Sequence, residues 1–219
     1  MRHYRQWVMK YKKQYSEFLA NSCLDEKGRR DPMRVYNRAL FALLSVNTSF
    51  DITEKAYADM KGKYWTGQKR IMHRYMRHGI HYAYARGGYL HDFTKAYKKN
   101  AAVFLKQCDE SWNEYRRRLV REVKGLGFIK ISFFITLVYP AADLCCIDRW
   151  ILRCLGLHAN NMPRLSNQIF YQSLENIMRQ ESKILGVDMF QYQWAIWDCI
   201  RFDTGNDKGL NPMASLNNS

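Results

Sequence analysis

Apolar positions recur at helical spacing along almost the whole chain. Trp7, Val8, Tyr11, Tyr15, Phe18 and Leu19 repeat at intervals that predict a basic amphipathic helix over residues 1–19. A polar loop around Gly28-Arg29-Arg30 is expected over residues 21–32. Pro32 then starts a helix that carries the run Ala39-Leu40-Phe41-Ala42-Leu43-Leu44-Ser45 and stops near Asn47-Thr48-Ser49. Asp51 or Thr53 is expected to cap a helix that reaches Met60.

A basic helical stretch over residues 65–85 is expected to end at Gly87-Gly88. Residues 90–107 give one or two further helices, and residues 111–123 another, which ends at the Gly125 turn. Residues 130–138 are apolar on every side after the first positions, so they are predicted to form a buried central helix ended by Tyr139-Pro140. Residues 148–155 read as a short helix ended by Gly156, and residues 166–185 and 189–202 as a final pair around Gly186. Residues 204–219 are expected to form a flexible tail. Four prolines, scarce strand-like alternation and no internal repeat make the expected fold class all-α.

Composition adds a partner. The chain has 219 residues, 47% of them hydrophobic and 15% aromatic, enough for one core or for two small lobes sharing a cleft. Its formal net charge is +15, which in a folded protein points to a polyanion, nucleic acid before a membrane surface. The charge concentrates in residues 61–130, with Lys69-Arg70, Arg74, Arg77, Lys98-Lys99 and Arg116-Arg117-Arg118, whereas the chain past Gly156 is nearly neutral. Cys23, Cys108, Cys145, Cys146, Cys154 and Cys199 form no disulfide framework or CxxC pair, and Cys145-Cys146 read as packed thiols rather than metal ligands. The first residues lack an apolar signal region, and no apolar run is long enough to span a bilayer. An intracellular, reduced, soluble protein is expected.

The candidate chemistry lies in Val123-Lys124-Gly125-Leu126-Gly127-Phe128-Ile129-Lys130 and, past a loop, in Cys146-Ile147-Asp148-Arg149-Trp150. Helix, Gly-apolar-Gly turn, helix is a hairpin whose glycines allow φ > 0 and close approach to a DNA backbone. The N–H groups that open the second helix would then bind a phosphate.

These residues resemble the helix-hairpin-helix (HhH-GPD) DNA glycosylase superfamily, which includes endonuclease III, the 8-oxoguanine glycosylases and the adenine glycosylases. Gly125-Leu126-Gly127 stands for the family's hairpin, Tyr139-Pro140-Ala141-Ala142 for its Gly/Pro loop, and Asp148 for its catalytic aspartate. Residues 148–157 look like the helix that follows, and Leu43-Leu44-Ser45-Val46-Asn47-Thr48 looks like the segment leading into the DNA-facing loop. The family's lysine aligns with Ile129 if the hairpin glycines set the register, and with Lys130 if the aspartate does. The second register is preferred, because a turn absorbs an extra residue more easily than a buried helix does.

The resemblance implies a two-lobed all-α HhH-GPD glycosylase-like fold with a DNA-binding cleft between the lobes. It covers residues 35–203, with the hairpin at 118–138, after an N-terminal basic helix and loop at 1–34. It implies Asp148 as the carboxylate that stabilises positive charge developing at C1′ of the sugar. Lys130 is implied as the amine that attacks C1′ and forms a Schiff base, giving lyase activity. A lysine that contacts phosphate, or lays its stem along apolar surface at the helix start, is the other reading of Lys130. Lys124, Gly125, Leu126 and Gly127 are implied to contact DNA, and Asn47 to fill the gap left by a flipped nucleotide, unless it caps its helix.

Some positions depart from the family. The four-cysteine cluster motif of endonuclease III is absent, so no iron–sulfur cluster, metal or other cofactor is expected. Trp150 occupies a place often held by histidine or another polar group, where it would pack the sugar or fill the core. The helix with Trp194 and Trp197 resembles the last helix of archaeal 8-oxoguanine glycosylases, those rings reading as core or as a stacking platform.

The expectation is a monomeric DNA glycosylase acting on double-stranded DNA, with no membrane partner. It would work in the cytoplasm or nucleoid, a phage-encoded protein acting in its host cell being the variant of that setting. A phage-type thymine hypermodification transferase on the same fold and a non-catalytic hairpin DNA-binding protein are the alternatives.

Overall fold

Pro32 opens the helix on which the middle of the chain is built. In the computed structural model, which describes residues 2–22 and 24–203, a first helix α1 (Arg2–Ser22) is followed by the short α2 (Glu26–Arg30) and by α3 (Pro32–Leu44). The tail at 204–219, and the side chains of Phe18 and Leu19, lie outside the described residues. The loop expected over residues 21–32 therefore contains a helical turn. Asp25 caps it by accepting from Gly28 N–H at 2.6 Å, and Asp31 caps α3 by accepting from Met33 N–H at 2.8 Å.

Every residue of α3 from 35 to 44 is buried, including Arg38 and Asn37, so this helix is the spine of the unit formed by residues 24–138. Around it stand α4 (Phe50–Met60), α5 (Gln68–Arg77), α6 (Ala83–Lys99), a 3-10 turn (Ala101–Phe104), α7 (Trp112–Glu122) and α8 (Phe128–Val138). Tyr36 of α3 packs on Tyr64, Phe93 and Tyr97, while its hydroxyl pairs with Thr94 Oγ1 at 2.8 Å and accepts from Trp65 N–H at 3.1 Å. Such rings contribute about 1.5–3 kcal/mol each by burial, and satisfied hydroxyls keep that contribution. α8 is buried from Ile131 to its end, as its all-round apolar pattern predicts.

Three expected boundaries in this unit change. Ser49, not Asp51 or Thr53, caps α4, accepting from Ile52 N–H at 3.4 Å. The basic stretch over residues 65–85 breaks at His78-Gly79, where Gly79 takes φ +70°. Gly87-Gly88 lies inside α6 instead of ending a helix. A Cβ on Gly87 would stand 3.3 Å from Met72 N and 3.5 Å from Gln68 O, so this glycine lets α5 and α6 approach backbone to backbone.

The second unit joins α1 to residues 139–203, so the segment 1–34 does not stand apart as an N-terminal piece. It contains α9 (Arg149–Cys154), a 3-10 stretch (Ala159–Ser166), α10 (Gln168–Leu185) and α11 (Met189–Asp203). α10 starts at Gln168 instead of 166 because Asn167 caps it, accepting from Phe170 N–H at 3.1 Å. α1 is tied down by Arg5 to Glu181 at 2.6 and 2.7 Å, by Tyr15 to Asp198 at 2.7 Å, and by Lys12 to the Leu185 carbonyl at 3.2 Å. No strand occurs among the described residues.

Candidate active site

Five residues, Val123-Lys124-Gly125-Leu126-Gly127, join α7 to α8. Val123 and Leu126 are buried and anchor the turn, which closes with Leu126 N–H donating to the Val123 carbonyl at 3.3 Å. Lys124, Gly125 and Gly127 are exposed. Leu126, expected to contact DNA, therefore presents only its backbone.

The two glycines differ. Gly125 has φ +85°, and a Cβ there would stand 2.4 Å from Tyr89 Cδ2, so the fold itself requires glycine. At Gly127 a Cβ would meet nothing within 4 Å. No neighbour in the fold needs that glycine. Its missing side chain instead leaves room for an outside backbone to approach the N–H groups that open α8.

Lys130 stands in the first turn of α8, half-buried, its Nζ 5.3 Å from the centre of the Phe133 ring. That turn is held from below. Buried Arg116 of α7 donates from Nη1 to Ser132 Oγ at 3.0 Å, Ser132 Oγ donates to the Phe128 carbonyl at 2.8 Å, and the guanidinium lies 4.9 Å from the Phe128 ring centre.

Asn47 is exposed with φ +46°, two residues beyond the Ser45 that ends α3, so it occupies a left-handed turn and is not the helix cap. Arg86 of α6 fixes the turn. It is 7% exposed and donates to Leu43 O and Leu44 O at 2.9 Å each and to Thr48 Oγ1 at 3.0 Å, capping the carbonyls that α3 leaves open. Burial lowers the Arg86 pKa from its ordinary value, and it raises that of Tyr75, whose ring lies under the guanidinium. One helix thus ties the Asn47 turn, through Arg86, and the hairpin, through Tyr89, to the same scaffold.

Tyr82 is a feature the sequence reading missed. It precedes α6 with φ +54° and is 76% exposed, and Tyr84 is 70% exposed. A bulky residue held left-handed in solvent is strained without any packing return. The available signal was the Tyr82-Ala83-Tyr84 pair beside His78-Gly79, which helical periodicity absorbed into one long helix.

In the other unit, Asp148 caps α9. Its Oδ1 accepts from Trp150 N–H at 2.9 Å and Ile151 N–H at 3.0 Å, which fixes the orientation of the carboxylate. The approach to it is fixed from α10 and α11. Cys145 N–H donates to Glu175 Oε1 at 2.9 Å, Cys146 N–H to Gln193 Oε1 at 2.5 Å and Ile147 N–H to Tyr171 Oη at 3.1 Å. Tyr171 Oη in turn donates to the Cys145 carbonyl at 2.7 Å. Cys145 and Cys146 are buried thiols, and desolvation raises the Cys145 pKa well above its ordinary value.

The structure thus contains a helix-hairpin-helix with a lysine in the first turn of its second helix, and a helix-capping aspartate after a pinned loop. The sequence matches the 8-oxoguanine DNA glycosylase family over residues 13–187. The chain belongs to that family. Two solved structures of the Methanocaldococcus jannaschii 8-oxoguanine DNA glycosylase resemble this glycosylase at 19% identity. One covers 92% of this chain and 94% of its own with a TM-score of 0.73. The other, in complex with a 15mer DNA containing 8-oxoguanine, covers 92% and 97% with a TM-score of 0.72. The 8-oxoguanine DNA glycosylase of Thermotoga maritima is 18% identical, covering 91% of this chain and 95% of its own with a TM-score of 0.76. No curated protein sequence matches.

Membership makes the chain a DNA N-glycosylase with the all-α HhH-GPD fold. In this glycosylase Trp194 is buried, 1% exposed, and Trp197 is half-buried against it at 4.9 Å, so the first ring is core and only the second reaches solvent. Trp150 is also half-buried rather than core. Among the described residues no His/Cys/Asp/Glu group is arranged to hold a metal, and no helix is long and apolar enough to cross a membrane.

Proposed function

We propose that this glycosylase excises an oxidised purine from double-stranded DNA and then cleaves the strand, with Asp148 and Lys130 as its catalytic residues. The observation that carries the lyase step is the place of Lys130, in the first turn of the helix that follows the hairpin. Its amine is partly open to solvent and forms no ion pair among the described residues. The Lys130 amine attacks C1′ of the damaged nucleotide, and the base leaves with the electrons of the C1′–N bond. The attacking nitrogen gives up a proton to the departing base, the C1′–O4′ bond then opens with O4′ taking a proton, and the imine so formed permits β-elimination of the 3′ phosphate. Asp148 stabilises the positive charge that develops on the sugar.

Reaching C1′ requires the nucleotide to leave the duplex. Asn47 and Tyr82, both exposed and both left-handed, are suited to fill the space it vacates. Lys124 and the backbone of Gly125, Leu126 and Gly127 hold a phosphate. The family match supports a purine oxidised at C8 as the substrate, and 8-oxoguanine is the first lesion to test.

Borohydride should trap a covalent complex with 8-oxoguanine DNA. Lys130→Ala should abolish trapping, and Asp148→Asn should slow base release by on the order of 10²-fold or more. Mass spectrometry should find the free base. A nucleoside of increased mass would instead mean base modification, and trapping that survives Lys130→Ala would remove the lysine from its role.

A further inference from the structure

Next to Asp148 the chain carries an Arg-Trp-Arg face that the reaction above does not use. Arg149, Trp150 and Arg153 share the short helix α9, whose cap is Asp148. Trp150 is half-buried, and both guanidiniums lie on its indole, Arg153 at 4.7 Å and Arg149 at 5.5 Å from the ring centre. Both arginines are exposed, and neither forms an ion pair with a carboxylate among the described residues.

Exposed arginines ordinarily lose much rotamer entropy when they bind a partner. Contact with an aromatic ring restricts these two in advance while both side chains stay exposed to an incoming acceptor. Arg149 and Arg153 are four apart in a helix, about 5–6 Å between Cβ atoms, so two guanidiniums are offered side by side. Two forks at that separation fit two neighbouring phosphates of one strand. Carboxylate partners fit less well on a chain of net charge +15, where the acceptor in excess comes from outside.

We propose that Arg149 and Arg153, braced by Trp150, grip consecutive phosphates of a DNA strand and so set its register relative to the Asp148 carboxylate. Trp150 acts as a positioning residue through the two arginines. The assignment rests on the reading of the protein as a DNA enzyme.

Binding of the full chain to a duplex with a single tetrahydrofuran abasic site, measured across a salt series, tests it. Each phosphate contact contributes about 0.9 to the slope of log K against log salt. Arg149→Gln with Arg153→Gln should therefore flatten the slope by about 1.8 and weaken binding at 0.15 M salt by on the order of 10-fold or more. Lys27→Gln with Lys183→Gln, which removes the same charge from exposed residues outside the basic stretch of 61–130, should change the slope by clearly less. Trp150→Ala should weaken binding several-fold with melting behaviour retained, and Trp150→Phe should restore most of it. Equal slopes for the two double variants, or Trp150→Ala binding like wild type, would overturn the proposal. Wild-type protein that fails to bind the duplex at all would instead sink the DNA reading itself.

Discussion

Gly125 and Gly127 look alike in the sequence and do different things. Gly125 is left-handed and lies against Tyr89, so Gly125→Ala forces both a strained φ and a displaced ring. A loss of about 1–3 kcal/mol is expected, visible as a lower Tm. Gly127→Ala meets open space and should leave stability within about 0.5 kcal/mol. On the proposed reading it should nevertheless weaken DNA binding, because a methyl group would enter the open space beside the start of α8. Melting curves beside equilibrium binding separate the two. If Gly127→Ala bound DNA as wild type does, Gly127 would be an ordinary connection and the phosphate would lie elsewhere. Thiol chemistry follows the same residue logic. Burial pushes the Cys154 thiol up to about 12, whereas Cys108 is exposed, so an alkylating reagent near neutral pH should modify Cys108 long before Cys154.

Between the helices, side chains do work that backbone ladders do elsewhere. The chain entering Asp148 runs without helix or strand from Cys145 to Ile147, and its N–H groups are met by Glu175, Gln193 and Tyr171 from α10 and α11. Tyr171→Phe removes both the acceptor for Ile147 N–H and the donor to the Cys145 carbonyl. It should cost about 1–3 kcal/mol of stability for the buried groups left unpaired. The freer Asp148 should lower kcat more than it raises KM, and an unchanged kcat would show that the loop keeps its shape without the hydroxyl. These pairings explain how far the sequence could be read. Helices α3, α7, α8 and α11 were legible because periodicity and breakers such as Pro32 and Pro140 are local. So was the short helix that Asp148 opens and Gly156 ends, because its pattern lies within ten residues. The roles of Arg86, Tyr171 and Gln193 were not, since their partners lie 42, 24 and 47 positions away and no local pattern announces them. Tyr82 was lost for another reason: residue preferences alone continue the helix past Gly79, and no local pattern announces a left-handed φ at a tyrosine.

At the scale of the molecule, a chain with net charge +15 sets 20 carboxylate side chains against 35 lysines and arginines, and in each unit more than one of those carboxylates is fastened to an arginine. Glu110 is held below the ordinary carboxylate range by its hydrogen bond from Arg118 in the unit of residues 24–138. Glu181 is held low in the other unit, first by the hydrogen bond and then by the charge of Arg5. Asp59 is also lowered, chiefly by its hydrogen bond with His78. A carboxyl whose folded pKa is depressed stabilises the fold in full above its unfolded pKa, about 4.3 for glutamate, and that contribution is lost as pH falls through the folded value. Protonation removes negative charge from a chain already strongly positive, so repulsion grows in the same window. The Tm should therefore hold through mildly acidic pH and drop steeply below about pH 4. Glu110→Gln and Glu181→Gln should each lower the neutral-pH Tm and flatten part of the acid limb, because the lost group no longer releases a proton on folding. A double variant whose Tm tracks wild type in parallel across the whole pH range would show that other groups govern the acid transition.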